Sequence, residues 1–264
     1  MQTPSKETIL SLLALEIAEQ MTYLDQKILF AIPCSEFLGQ AWTKKDRNIR
    51  APNIVQMTKF FNDFSRLVCS EIISQTCLNS RIMVIEKWTA VADICRFFRL
   101  KNTWNRVSKS VRHTIDKLQS LVSSDGRFRN LRDTLHRTDP PCIPYLGMYL
   151  SDLTFIEEGT PNFTESGLLN FAKMRMIAHV IREIRQFQQT PYKIERIPKV
   201  VNYLLDSGKL MDDEEMYQRS LMVEPRASRL SSSFGHSMAV AAATVAARHS
   251  SAQQEKDSHG TTPN

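Results

Sequence analysis

Apolar residues along this chain recur at intervals of three and four positions, the spacing that places them on one face of an α-helix. The pattern is clear after Pro52, from about Ser80 to Phe97 and over Val111–Val122, and near the start it comprises Ile9, Leu12, Leu13, Ile17, Met21, Leu24 and Ile28. No regular alternation of apolar and polar positions, typical of β-strands, is present. The sequence therefore predicts an all-α fold.

Tyr145–Gln189 has the pattern of a helical hairpin, two helices joined by a short turn that contains Gly and Pro. The first arm is apolar except towards its end, where Asp152, Glu157 and Glu158 gather. The second arm begins at about Leu168 and is amphipathic over about 22 residues, roughly 33 Å of helix. The acidic pair beside the hairpin tip is the best functional candidate in the chain.

Other stretches predict smaller features. Pro4 and Ser5 are suited to start the first helix. Thr43–Arg50 is basic and polar, and we expect it to form a solvated loop. Residues 1–226 are predicted to form one domain. Residues 227–264 are rich in Ser and Ala with almost no large apolar side chains, which predicts a disordered tail.

The composition is that of an ordinary globular protein, with 264 residues of which 42% are hydrophobic and 23% are charged. The formal net charge of +6 is best explained by a solvated basic surface. An acidic partner, such as nucleic acid, anionic lipid or an acidic protein, is the alternative. Nucleic-acid binding is the weakest of these hypotheses because only the charge motivates it, and we expect no nucleic-acid partner.

The five cysteines form no CxxC pair, and their odd number argues against a complete disulfide framework. We therefore expect free thiols in a reducing compartment. The first residues do not resemble a signal peptide, and no apolar run approaches the length that a transmembrane helix needs. These features predict a cytoplasmic protein without a transmembrane segment, and they leave room for peripheral recruitment to a membrane through other factors.

Several kinds of chemistry have no support in the sequence. There is no glycine-rich phosphate loop, no zinc-like spacing of His and Cys, and no nucleophile elbow. We expect no cofactor, no metal site and no covalent catalysis. His179 lies on the polar side of the second arm, one turn before Glu183, and is best explained as an exposed helix residue with an i,i+4 partner.

Several long motifs, in order, closely resemble the Ras guanine-nucleotide exchange domain, and most of all its Ras-GRF-like members. The resemblance extends from about Ala14 to Arg226, roughly four-fifths of the chain. It is carried by the segments Ala18–Asp25, Phe37–Trp42, Glu86–Arg96, Ser123–Phe128, Asp139–Leu153, Phe155–Phe163, Asn170–Gln189 and Val223–Arg226.

The resemblance implies an irregular helical bundle, or bowl, from which the hairpin protrudes. In this family the hairpin inserts beside the nucleotide site of a Ras-family small GTPase and promotes release of GDP without a covalent step. Glu158 matches the acidic residue that engages groups otherwise holding phosphate and Mg²⁺. Thr154, one turn earlier, matches an apolar position that crowds the metal site in other members.

The resemblance also assigns residues to binding of the GTPase. Phe128 and Tyr145 match aromatic positions that receive its switch II, and an aromatic anchor in a partly apolar groove is typical of a binding hot spot. Further matching positions are Leu150 and Thr160 in the hairpin and Asn62 on the second large helix.

The chain departs from the family at one place. Members carry about twenty residues between the motifs that end at Arg96 and begin at Phe97 here. In the family, the missing residues supply a core helix and part of the wall that faces the GTPase. Loss of a core helix lowers the free energy of unfolding by several kcal/mol, compared with a total of about 5–15 kcal/mol. Two hypotheses follow: an active exchange factor, or a catalytically weakened variant that binds a Ras-family GTPase without efficient exchange and titrates it.

Overall fold

The computed structural model describes residues 5–91 and 108–224, and the regular elements within these ranges are helical. The described helices are α1 (Ala14–Ala31), α2 (Arg47–Arg50), α3 (Pro52–Ile73), α4 (Leu78–Ala90), α5 (Lys109–Leu121), α6 (Arg129–Arg137), α7 (Leu146–Gly159), α8 (Phe171–Phe187), α9 (Pro198–Leu204) and α10 (Asp213–Val223), with 3₁₀ segments at Cys34–Thr43 and Ser207–Lys209. An isolated β-bridge joins Phe163 and Leu169, and the described ranges contain no strand. The predicted all-α class is confirmed.

Two of the sequence predictions concern residues that the structure does not describe. The tail at 227–264 and the junction between Arg96 and Phe97 both lie outside the described residues. Among the described helices, none combines the length and the apolar character needed to cross a bilayer.

A first hydrophobic core surrounds Trp88 of α4, which is fully buried. The rings of Trp88 and Phe64 of α3 pack edge to face, with their centroids 5.5 Å apart and their planes at 89°. Such an arrangement is favourable for aromatic pairs. Around it pack α1, α3, α4 and α9, with buried side chains that include Ile17, Leu67, Val68, Ile72, Val84, Val200 and Tyr203.

A second core holds the base of the hairpin. It joins the end of α1 and the 3₁₀ segment to both hairpin helices, through buried residues that include Leu29, Ile32, Phe37, Ile54, Leu146, Tyr149, Leu153, Ile177 and Ile184. Beyond α8, the side-chain amide of Gln188 donates to the carbonyl oxygens of Leu29 (2.6 Å) and Ile32 (3.0 Å). The hairpin is thus anchored at its base.

The second arm of the hairpin is shorter than the sequence suggests. α8 has 17 residues, about 25 Å of helix, because it starts at Phe171 and not near Leu168, and ends at Phe187 and not at Gln189. Asn170 caps it by accepting a hydrogen bond from the backbone N–H of Lys173 (3.3 Å), and the bridge between Phe163 and Leu169 holds the preceding loop in another conformation.

The first helix also begins later than predicted, at Ala14 and not at Ser5. The segment before the helix makes tertiary contacts instead: the backbone N–H of Ser5 donates to the carboxylate of Asp206 at 2.9 Å. Ile9 and Leu12 are buried in the first core although they precede the helix. Tertiary packing therefore overrides the local capping signal in this segment.

The predicted polar loop at Thr43–Arg50 contains a helical turn, α2 (Arg47–Arg50). Ala51 follows directly and is fully buried in the second core, and its backbone N–H donates to the carbonyl oxygen of Arg47 at 2.8 Å. Arg47–Arg50 themselves remain exposed, and the helical turn satisfies their backbone groups just before the chain enters the core at Ala51.

The start of α3 is capped by a buried carboxylate. Pro52 is the first residue of the helix, as predicted. The carboxylate of Glu36, only 2% exposed, accepts hydrogen bonds from the backbone N–H of Ile54 (2.9 Å) and from the side chain of Asn53 (2.6 Å). A negative charge at a helix N-terminus satisfies free N–H groups and interacts favourably with the helix dipole.

We expect Glu36→Gln to lower the free energy of unfolding by about 1–3 kcal/mol, because a charged acceptor of buried donors is lost. Urea denaturation would measure the change. Glu165→Gln, at an exposed glutamate in the hairpin loop, is the matched control and should have almost no effect. Equal stability of the two variants would contradict the capping role of Glu36.

Stability should also depend on the half-buried Asp25 of α1. Burial raises the pKa of its carboxyl to about 7, from an ordinary value of 3.8. Because the folded state holds the proton more tightly than the unfolded chain, this contribution to stability is present below about pH 4 and is lost as pH rises through about 7. Asp25→Asn should therefore raise the melting temperature at pH 8 and leave it nearly unchanged near pH 4. A pH-independent difference would contradict this.

Candidate functional site

The two glutamates at the hairpin tip have different environments. The carboxylate of Glu157 forms a 2.8 Å ion pair with the ammonium group of Lys173 on α8. Glu158 is exposed, and its carboxylate has no hydrogen-bonding or ionic partner among the described residues. Adjacent positions on a helix point in directions about 100° apart, so one acid turns towards α8 while the other faces solvent.

Lys173 connects the two arms from within the hairpin. Only 2% of it is exposed, and its ammonium group also donates to the backbone carbonyl of Glu157 (3.0 Å) and to the side-chain oxygen of Asn162 (2.8 Å). These three acceptors satisfy the three N–H donors of a lysine. The cation also lies at the C-terminal end of α7, where the helix dipole favours positive charge. The last turn of α7, which carries Glu158, is thereby fixed.

Lys173 is not among the residues predicted from the sequence, although a signal for it is present there. Lys173 lies four residues before Ile177, and the series continues with Val180 and Ile184, which are buried. A lysine in line with the apolar face of an amphipathic helix indicates a buried, paired cation rather than a solvated one.

Thr154 is half-buried one turn before Glu158. Its hydroxyl donates to the backbone carbonyl of Leu150 at 2.9 Å, so its donor is used within its own helix. Thr160 is the C-cap residue of α7 and is half-buried, as is Leu150. The structure thus places Thr154 and Glu158 on one side of the arm.

The aromatic residues predicted at the site do lie together. The rings of Phe128 and Tyr145 are 5.7 Å apart in an edge-to-face arrangement. A third ring, that of Phe61 on α3, lies 5.8 Å from Tyr145. We call Phe61, Phe128 and Tyr145 the aromatic cluster. Tyr145 is 39% exposed and Phe61 47%, so apolar surface remains open to a partner.

Phe61 is not among the predicted site residues, because the apolar face of α3 contains several aromatic residues and periodicity alone does not separate the edge of that face from its centre. Asn62, the neighbouring residue on α3, is exposed as a contact residue would be. Gly147 is needed for the position of Tyr145, since a Cβ there would lie 2.6 Å from the end of the tyrosine ring. The aromatic cluster therefore depends on a close approach that another residue would block.

His179 behaves as expected, exposed on α8 and 3.3 Å from the carboxylate of Glu183. Within the described ranges, no group of three or more His, Cys, Asp or Glu side chains is placed to hold a metal ion. The features that stand out are therefore a free carboxylate at the hairpin tip and the aromatic cluster.

Comparison with known proteins shows which family the chain is similar to. The model of the RasGEF domain matches residues 16–98 and 96–175. Ras-specific guanine nucleotide-releasing factor 1 of Homo sapiens is 57% identical over 232 residues, which cover 81% of this chain and 18% of the human protein. Ras-specific guanine nucleotide-releasing factor 2 of Danio rerio is 54% identical over 244 residues, covering 85% of this chain and 20% of the relative. Ras guanine nucleotide exchange factor Y of Dictyostelium discoideum is 35% identical over 230 residues, 80% and 15% of the two chains.

Two details bear on the shortened segment. The two stretches matched by the family model meet at residues 96–98, where the sequence predicts the shortening. Of the 264 residues of this chain, 81% is about 214, whereas the alignment to the human protein spans 232 residues, so about 18 residues of the relative have no counterpart here.

The chain spans about a fifth of the length of the curated releasing factors that it matches. Its likeness to them nevertheless covers most of its own length and includes the whole hairpin. By the family match and this identity, the chain belongs to the RasGEF domain family.

Proposed function

We propose that this chain is a guanine-nucleotide exchange factor for a Ras-family small GTPase, with Ras as the first candidate. It promotes release of GDP by inserting the α7–α8 hairpin beside the nucleotide site. The observation that carries the proposal is the free, exposed carboxylate of Glu158 at the hairpin tip, beside a Glu157 that is locked to Lys173. Two of the relatives described above are Ras-specific guanine nucleotide-releasing factors, which supports the choice of partner.

The physical role of Glu158 is competition with phosphate. A phosphate site consists of N–H donors and positive charge arranged for an anion, and a carboxylate presented there uses the same donors. It also repels the departing phosphates. Because factor and nucleotide exclude one another, each weakens binding of the other by the same factor, and GDP leaves without any covalent step.

Thr154 and the aromatic cluster take complementary roles in this proposal. Since the Thr154 hydroxyl donates within its own helix, we assign the residue a steric contribution beside the metal. The aromatic cluster would bind the GTPase through the exposed parts of Phe61 and Tyr145, with Phe128 beside them. A rigid, partly exposed group of rings has the composition of an interface hot spot.

Leu150, Thr160 and Asn62 are proposed as further contacts with the GTPase. Leu150 and Thr160 lie on or next to the arm that carries Glu158, whereas Asn62 lies on α3 beside Phe61. These positions would extend the interface from the hairpin tip to the aromatic cluster.

We also propose that the chain acts in the cytoplasm, with recruitment to a membrane through other factors. The described cysteines Cys34, Cys77 and Cys142 form no disulfide, which agrees with a reducing compartment.

Glu158→Ala should slow GDP release by about 10- to 100-fold, the effect of losing a hydrogen-bonding charge worth about 1.5–3 kcal/mol. Release of a fluorescent GDP analogue from Ras, Rap and Ral-type GTPases would measure it, with the melting temperature of each variant alongside. Glu165→Ala removes an exposed acid from the same hairpin and should retain wild-type rates. An unchanged rate in Glu158→Ala would remove Glu158 from the mechanism.

The same assay decides between exchange and mere binding. A wild-type chain that captures nucleotide-free GTPase but leaves GDP release unaccelerated would select the binding-only variant, which the shortened segment motivates. We favour the exchange factor, because the hairpin and the aromatic cluster are both formed in the described residues.

Lys173→Met should lower the maximal release rate by about 10- to 100-fold, because a small displacement of Glu158 is enough to misplace its carboxylate. Breaking the buried pair should also cost about 3–5 kcal/mol of stability. Adding Glu157→Gln removes the charge left behind, and should recover stability but not rate. Lys193→Met, at an exposed lysine, is the control. Recovery of both quantities together would argue against a positioning role.

A further inference from the structure

The loop that presents Phe128 has an unusual backbone. Three successive residues, Gly126, Arg127 and Phe128, have positive φ angles of 58°, 59° and 64°. Glycine adopts this conformation freely, whereas residues with a Cβ do so at a cost of about 1–2 kcal/mol each. A conformation of this kind persists only when surrounding contacts hold it.

The contacts that hold the loop converge on Asp152 of α7. One carboxylate oxygen is 2.6 Å from a terminal nitrogen of Arg127, and the other is 2.7 Å from a terminal nitrogen of Arg132 on α6. The Nε–H of Arg132 in turn donates to the backbone carbonyl of Arg127 at 2.9 Å. The three residues therefore form a closed set of contacts that holds both the side chain and the backbone of Arg127.

The burial of the three residues indicates that Asp152 is the centre of this set. The Asp152 side chain is 13% exposed, compared with 25% for Arg132 and 66% for Arg127. An isolated ion pair as exposed as Arg127 contributes little. The interactions of a shielded carboxylate that binds a different guanidinium group with each oxygen are stronger and more directional.

The same guanidinium groups also rest on aromatic rings of α7. Arg127 lies 5.3 Å from the ring centre of Phe155, and Arg132 lies 5.8 Å from that of Tyr149. These distances are typical of cation–π contacts. The loop is thereby attached to α7 over two turns, on both sides of Asp152.

This attachment bears on the site. Phe128 follows Arg127 directly and meets the ring of Tyr145, whereas Tyr145 and Glu158 stand at the two ends of α7. The loop that carries Phe128 is thus held in contact with α7, the same helix that carries Glu158. Asp152 itself has both oxygens occupied by arginines.

We propose that Asp152 is a positioning residue of the exchange reaction: through Arg127 and Arg132 it holds the Phe128 loop against α7 and so completes the aromatic cluster that receives the GTPase. This rests on the function proposed above. Asp152 acts through its arginine partners, so its removal should weaken engagement of the GTPase more than the release step itself.

The test is Asp152→Asn, which keeps the size of the side chain and removes the charge. We expect the KM for the GTPase to rise by about 3- to 30-fold, the range expected when a coupled pair of side chains is broken, with a smaller change in the maximal rate. In the free chain, hydrogen exchange at the amides of Phe128 and Arg129 should become faster. These amides now donate to the carbonyl oxygens of Ser124 and Asp125.

A second variant guards against loss of the fold. Arg127→Gln alters an exposed side chain and should raise KM in the same direction. If the two residues act through one another, the double variant should be little worse than Asp152→Asn alone. Arg129→Gln is the matched control, since Arg129 is exposed, adjoins the same loop and has no ionic partner among the described residues.

Three results would overturn the proposal: unchanged loop exchange in Asp152→Asn, faster loop exchange with unchanged KM, or fully additive effects of the two substitutions. Failure of the proposed function gives a different result. A wild-type chain that does not accelerate GDP release would refute that function, while hydrogen exchange in the free chain would still decide whether Asp152 holds the loop.

Discussion

The packing of the hairpin base into the second core is the constraint on which the rest of the molecule depends. Side chains from the end of α1 and the 3₁₀ segment enclose the inner faces of α7 and α8, and Gln188 ties the far end of α8 to the carbonyl groups of Leu29 and Ile32. Apolar burial supplies most of the favourable free energy of such an arrangement, but it has no direction. It brings the two helices together, but other interactions set their exact orientation.

Polar contacts supply that direction at two places. At the tip, the buried ammonium group of Lys173 pairs with the carboxylate of Glu157 and donates to the backbone carbonyl of Glu157 and the side-chain oxygen of Asn162. These contacts hold the last turn of α7 in one arrangement. Midway along the arm, Asp152 joins two arginines to α7 and fixes the loop before α6. A buried charge is costly unless its partners are in place, and for this reason such contacts select a single geometry. The proposed site lies where both constraints act.

The proposed function uses little chemistry and much geometry. An exposed carboxylate on a rigid arm and a partly open group of rings are ordinary components, and only their mutual placement gives them a role in displacing a bound nucleotide. The family shortfall of about 18 residues near position 96 does not remove any of the described parts of the site. The shortening falls between α4 and α5 in the sequence. These two helices contribute Trp88 and Ile115 to the first core.

The sequence by itself determined the all-α class, the hairpin at Tyr145–Gln189 and the acidic pair near its tip, because helical periodicity and turn residues are local properties. The resemblance to a family supplied Glu158, Phe128 and Tyr145 as candidates. Only the tertiary structure decided which glutamate is locked, that Lys173 is buried, and that Asp152 pairs with Arg127 and Arg132. It also placed the start of α1 at Ala14 and not at Ser5, with Ile9 and Leu12 buried in the first core ahead of the helix. Each of these depends on partners distant in sequence, and the free energy of a charge is set by the atoms that surround it in space.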